Sequence, residues 1–427
     1  LLPLTKNASV AVLGAFAKTP RYQGAGSSKV QPLAIDSPLD ELLKLGVSAT
    51  FAEGYREEQD EPDEALIQAA CELARGKDAV LLYAGLPDRY ESEGFDRESL
   101  AMPRSQTELI RRVAEVNENL AVVLLCGSVV DLEWEANAKS ILLMHLGGEA
   151  VGGAVADLVT GGACPAGKLT ESWPLLLSDN PSHAYFPGYT RTVEYRESIF
   201  VGYRYYDTAQ KPVRYPFGYG LSYTSFSYSN LQLSADHLNM GETLRVSFDV
   251  NNTGTVAGAE VVQLYVSHRS DVMFTAEQEL KGFESVFLAP GETKSVQFVL
   301  TRRDLCYYDV VAADWMVEGG DYEIRASASS REIRLRANVT AAPDAGAHVP
   351  DHRADAPCYY DLVRGIDVPD SAFAAVLGRE IPARERQKGE KHTLNVTLSE
   401  VNHTLLGGLL AFIGRKVAMS AMATNEV

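Results

Sequence analysis

Two glutamates stand two residues apart in the run Gly85-Leu86-Pro87-Asp88-Arg89-Tyr90-Glu91-Ser92-Glu93-Gly94-Phe95-Asp96-Arg97, directly after an apolar strand pattern from Ala79 to Ala84. In open α/β sheets ligands bind at the carboxyl ends of strands. A glutamate there can serve as a general acid where burial or a second carboxylate raises its pKa toward neutrality. On composition alone, a solvated loop with loosely paired charges is the simpler reading. The other candidate is Gly24-Ala25-Gly26-Ser27-Ser28, which follows the first strand and the segment Lys18 to Gln23. Its glycines let backbone approach a ligand closely. It has neither the Gly-Lys-Ser/Thr ending of a Walker A loop nor the Gly-X-Gly-X-X-Gly fingerprint, which argues against a nucleotide.

Other chemistries find less support. The run Gly147 to Leu158 has no lysine or hydroxyl at a metal-binding offset, so its glycines read as close strand-to-helix packing. Gly-X-Ser-X-Gly is absent, and the eight histidines are mostly dispersed. His348 and His352 have helical metal spacing, but Pro350 lies between them, and a solvated linker is the better reading. No metal and no cofactor is expected.

The elements that must position these loops follow from apolar periodicity. Strands are expected at Val10 to Leu13, Ala79 to Ala84, Ala121 to Cys126 and Ile141 to His145, each continuously apolar as a strand buried on both faces should be. Helices are expected at Asp63 to Ala74 and Ser105 to Val116, where apolar residues recur at spacings of three and four. A junction follows, rich in aromatic residues and turns, including Tyr185 to Tyr189 and Tyr215-Pro216-Phe217-Gly218-Tyr219-Gly220; it reads as a hydrophobic clasp between domains. From about Ser225 the period becomes two, as in Leu244 to Val250 and Val261 to Val266, with turns at Asn251 to Gly254 and Ala289 to Glu292. Seven or so short strands point to an antiparallel β-sandwich. No cysteine pair sits where an immunoglobulin disulfide would be, which favours the fibronectin type III variety.

The expected fold class is therefore α/β plus all-β. An α/β sandwich with a mostly parallel sheet occupies residues 1–190, a connecting segment 191–224, a fibronectin type III-like β-sandwich 225–341, and a linker and C-terminal extension 342–427. The extension has a helix-like Ser371 to Leu377 and an amphipathic end near Leu405 to Met419. It is expected to pack on another domain or a second subunit.

Composition bounds the partners. The chain has 427 residues, 46% of them hydrophobic and 22% charged, enough for two or three domains. A net charge of -18 opposes binding to nucleic acid. The longest apolar run, Leu405 to Ile413, is about half the length of a membrane span, so no membrane is expected. Five scattered cysteines, an odd number, suggest reduced thiols and a cytoplasmic location. Sequons at Asn338 and Asn402 need a secretory route to matter, and the opening Leu1 to Asn7 does not read as a leader.

Taken together, Pro20 to Ser28, Glu93-Gly94-Phe95-Asp96-Arg97, Gly147 to Gly153, Pro165-Ala166-Gly167-Lys168-Leu169-Thr170 and Tyr215 to Tyr223 resemble the C-terminal half of glycoside hydrolase family three, the bacterial β-glucosidase type. The resemblance covers roughly the first 340 residues. It implies a multi-domain retaining enzyme: a (β/α)8 barrel with an aspartate nucleophile, then an α/β sandwich, then a fibronectin type III-like domain. It places the general acid/base on Glu93, with Glu91 as the rival, and puts Ser27 against the sugar in the innermost subsite. No barrel precedes Leu1 here, so the nucleophile is expected outside this chain, and the fragment alone is expected to be inactive. The competing reading is a non-catalytic carbohydrate-binding or structural scaffold.

Overall fold

The computed structural model describes all of the chain except residues 240, 364, 387–389, 391, 392, 394, 395, 398, 399, 401–404 and 425–427. The first layer of structure is built from β1 (Ser9–Leu13), α1 (Pro38–Lys44), β2 (Ser48–Ala52), α2 (Glu64–Ala74), β3 (Ala79–Gly85), α3 (Arg104–Ala114), β4 (Leu120–Leu125), β5 (Ser140–Leu143) and α4 (Val151–Thr160). The five strands form one parallel sheet in the order β2-β1-β3-β4-β5. Alternate residues of the central strands feed two cores. Leu13, Val80, Leu82, Val122 and Leu124 pack with Ile67 and Ala70 of α2 and Leu109 and Ile110 of α3. Val12, Leu81, Tyr83, Val123 and Leu125 pack with Leu39 and Leu42 of α1 and Val151 and Val155 of α4. Burying each large aliphatic side chain contributes about 1.5–3 kcal/mol. This explains why these strands read as continuous apolar runs: both faces are covered.

The helix ends obey local chemistry. Asp63, expected as the first residue of a helix, is instead its N-cap, accepting from the N–H groups of Ala65 and Leu66. Ser37 caps α1, with Pro38 in the first turn. Gly152 packs closely as the sequence suggests, but its neighbour is backbone at Asp36 and Ser37 before α1 rather than a strand; a Cβ there would stand 2.5 Å from the Asp36 carbonyl oxygen.

The junction contains β6 (Trp173–Pro174), α5 (Tyr203–Thr208) and β7 (Val213–Tyr215). Its aromatic residues stack on one another and reach both neighbours. Tyr215 stacks on Tyr219 at 4.9 Å and meets Trp173 edge-on at 6.5 Å. The Tyr223 hydroxyl donates to the Leu158 carbonyl at 2.9 Å, while Gln263 donates through Nε2 to the Gly218 carbonyl at 3.0 Å.

The sandwich comprises β8 (Phe226–Leu233), β9 (His237–Leu238), β10 (Leu244–Asn252), β11 (Gly258–Ser267), β12 (Glu279–Leu288), β13 (Thr293–Leu300), the small hairpin β14 (Tyr307–Asp309) and β15 (Asp314–Met316), then β16 (Gly320–Ser327) and β17 (Ile333–Ala341). Its two sheets run β13-β10-β8 and β12-β11-β16-β17-β9. Val246, Phe248 and Val250 on one face Val262, Leu264 and Ile324 on the other, the period-two pattern of a half-buried sheet.

The extension carries α6 (Asp370–Leu377) and α7 (Leu405–Thr424). Ala356, Tyr359, Leu362, Val368 and Ala372 form one cluster with Phe200, Tyr205, Tyr206 and Ala209 of the junction. Beside it, Arg384 donates to Glu194 and Asp370, and Arg196 donates to the same two carboxylates. Before α6, the stretch read from sequence as a linker is held by Asp344, which accepts from Arg302 and the Val317 N–H, and by His348, whose N–H and ring face Asp309.

Candidate functional site

The order β2-β1-β3-β4-β5 reverses direction between β1 and β3. The loop leaving β1 leads to α1 on one face of the sheet and the loop leaving β3 leads to α3 on the other, the arrangement in which open α/β sheets bind ligands at the carboxyl ends of the strands. The two candidate loops are those loops. The glycine-serine segment belongs to the connection after β1, and the glutamate loop follows β3.

They touch. The Glu93 N–H donates to the Ala25 carbonyl at 3.2 Å. The Ser27 N–H donates to Glu93 Oε2 at 2.9 Å, and the Ser27 hydroxyl donates to the same oxygen. Glu93 is exposed, and its Oε1 takes no hydrogen bond from a described residue. The two residues singled out from sequence are thus brought together.

Glu91 is placed differently. Its Oε2 accepts from the Gly127 N–H at 2.8 Å and its Oε1 from the Ser128 hydroxyl at 2.5 Å. The guanidinium of Arg21 lies 3.9 Å away. Arg21 is buried, and it binds the carbonyls of Gln23, Leu86 and Glu91 as well as the Asp88 carboxylate at 3.1 Å. One cation thereby joins the loop after β1 to the loop after β3, and charge-assisted bonds of this kind are the stronger class. Arg97, at the far end of the glutamate loop, donates to the Ser128 hydroxyl at 2.9 Å and to the Val129 carbonyl at 2.7 Å. Burial pulls the Arg97 guanidinium below its usual range, and Glu91 opposes that pull.

Beneath the site, burial pushes the Cys126 thiol up to about 12, with the Glu91 charge adding to it, so it stays protonated and is no nucleophile. His145, just past β5, is held below the usual imidazole range, chiefly by burial. Arg21, Gly127 and Ser128 received no role in the sequence reading. The signals present were a lone arginine before the glycine loop and a Gly-Ser turn at the end of a buried strand. His348 and His352 lie far along the chain in the extension, paired with Asp309 and Asp355.

Residues 1–223 match the glycosyl hydrolase family 3 C-terminal domain, and residues 260–330 match a fibronectin type III-like domain. The chain is 47% identical over 342 residues to the thermostable beta-glucosidase B of Acetivibrio thermocellus, a match covering 79% of this chain and 45% of that protein. It is 45% identical over 325 residues to an exo-alpha-(1->6)-L-arabinopyranosidase of Bifidobacterium breve, covering 76% of this chain and 42% of that one. The crystal structure of a GH3 beta-glucosidase from Bifidobacterium adolescentis superposes with a TM-score of 0.78 at 40% identity, over 88% of this chain and 54% of the other. The chain spans about half the length of the curated relatives it matches. Parallel sheet, β-sandwich and both profile matches agree: the chain belongs to glycosyl hydrolase family 3, of which it carries the C-terminal domain and a fibronectin type III-like domain.

Proposed function

We propose that the chain is the C-terminal part of a retaining glycoside hydrolase acting on β-glucosides or related glycosides, with Glu93 as general acid/base and Ser27 against the sugar. The observation that carries this reading is the contrast between the two glutamates. Both Glu91 oxygens are occupied by donors from the turn after β4, whereas Glu93 stands exposed at the carboxyl edge of the sheet with no described residue donating to its Oε1. A proton donor needs a carboxyl oxygen that can reach the departing group.

In this mechanism an aspartate on a separate domain attacks the anomeric carbon, and Glu93 protonates the leaving oxygen. Glu93 then takes a proton from the water that releases the sugar. The two carboxyls must lie about 5–5.5 Å apart, which two facing domains can arrange. Ser27 stands beside the acid, where its hydroxyl can turn to a sugar hydroxyl. The proposed division is 1–190, 191–224, 225–341 and 342–427, as the periodicity suggests. Five unpaired thiols fit a reducing compartment, and we place the enzyme in the cytoplasm.

The test compares Glu93→Ala with Glu91→Ala in the enzyme that includes its nucleophile domain. Glu93→Ala should lower disaccharide hydrolysis about a hundred- to ten-thousandfold, less for an activated aryl glucoside, with azide restoring the latter. Azide rescue of Glu91→Ala in its place would transfer the role to Glu91. Aryl β-glucoside and aryl α-L-arabinopyranoside, assayed side by side, distinguish the two glycons that the relatives' names suggest.

A further inference from the structure

Between Glu91 and Arg97 lie five residues with no helix or strand, four of them exposed: Glu93, Gly94, Phe95 and Asp96. Such a segment has little packing of its own to fix it, so its geometry is set where it is tied. Both feet are tied to one atom. The Ser128 hydroxyl donates to Glu91 Oε1 and accepts from Arg97 Nη1, so its single proton and one lone pair are both used. The platform beneath is rigid: Cys126 on one side and Val129 and Val130 on the other are buried in the sheet's core.

We infer that Ser128 is a positioning residue for the acid/base, closing the glutamate loop by bridging Glu91 to Arg97 and so holding Glu93 at the carboxyl edge of the sheet. The inference rests on the proposed role of Glu93. Side chains that orient a catalytic group matter because displacement by about 1 Å can cost a hundredfold in rate. Ser128 touches neither substrate nor reacting atoms in this scheme; it acts through the loop.

The experiment uses the enzyme with its nucleophile domain, three substitutions at Ser128, and Glu93→Ala as the reference. Ser128→Ala should lower kcat for a disaccharide about ten- to a hundredfold with KM little changed, without azide rescue because the Glu93 carboxylate is still present. Ser128→Thr, which keeps the hydroxyl, should restore the rate. Amides of residues 92–96 should exchange faster in Ser128→Ala and not in Ser128→Thr. If Ser128→Ala loses its cooperative melt, Ser128→Cys, similar in size but a weak hydrogen bonder, should fold and show the same loss of kcat. Wild-type kcat in whichever of the Ala or Cys variants folds, beside a collapsed and azide-rescued Glu93→Ala, would overturn the positioning role and leave the acid assignment standing. Wild-type kcat in Glu93→Ala would instead remove the reading on which it rests.

Discussion

A Cβ on Gly26 would stand 2.8 Å from the Cβ of Glu93, closer than real side chains approach. The backbone there has φ +92°, a conformation that L side chains rarely adopt. The glycine-serine loop and the glutamate loop are therefore fitted to each other at this point. Gly26→Ala should push the two loops apart and lower kcat about ten- to a hundredfold. It should also cost about 1 kcal/mol or more of stability from backbone strain alone. Steady-state kinetics and a denaturant melt measure both, and unchanged kinetics would mean that the loops separate before turnover.

The 427-residue chain alone should not turn over an aryl β-glucoside, because one carboxylate cannot perform a double displacement. A discontinuous assay at high protein concentration is the check. Robust turnover abolished by Glu93→Ala would place a nucleophile within this chain.

The contact between Gly218 and Gln263 should couple the parallel sheet to the sandwich. Gln263 is buried and donates to the carbonyls of both Gly218 and Ala328, and a Cβ on Gly218 would collide with its side chain. Gly218→Ala should remove those bonds from a buried amide at a cost of about 1–3 kcal/mol. Its urea transition should broaden or split in two; a single transition at the wild-type midpoint would show that the junction relaxes without loss.

Asp370 makes the attachment of the extension sensitive to acid. Hydrogen bonds from Arg384, then from Arg196, hold its carboxyl at about 2, against about 3.9 for an unfolded aspartate. A depressed pKa contributes stability above the unfolded value and loses it as pH falls through the folded one. Amide exchange over residues 366–384 should accelerate as pH drops from about 4 to about 2, after correction for intrinsic rates. Asp370→Asn should flatten that dependence, and an identical profile in the variant would exclude this pair of salt bridges as the cause.

Much of the frame was legible because burial on both faces leaves an unambiguous trace. The strands β1, β3 and β4 stand out as apolar runs for that reason, while β5, a partly buried edge strand, is betrayed by Ile141-Leu142-Leu143 alone. Ser48-Ala49-Thr50-Phe51-Ala52 does not stand out, since β2 sets exposed polar Ser48 and Thr50 between its partly buried residues and so shows no apolar run. The seven-residue α1 escaped notice as well, although Ser37 and Pro38 are ordinary start signals. At the site, sequence could place both glutamates in one loop but could not say which would be occupied. That depends on Gly127 and Ser128, 36 and 37 residues away, and their nearness follows only from β3 and β4 pairing side by side.

Glu93 is lodged by contacts between residues far apart in the chain: Ser27 to Glu93 spans 66 residues, Arg21 to Glu91 spans 70 and Ser128 to Glu91 spans 37. Parallel pairing of this kind forms slowly, because long loops must close before their contacts repay the entropy. On the ribosome the glutamate is synthesised well before its lodging is complete. The glutamate loop cannot settle until Val129 has cleared the exit tunnel and β4 has joined the sheet. A folding intermediate lacking β4 would hold Glu93 in a loose loop, already translated but without its seat. Pulse-labelled amide exchange during refolding should accordingly protect residues 80–85 before residues 91–97.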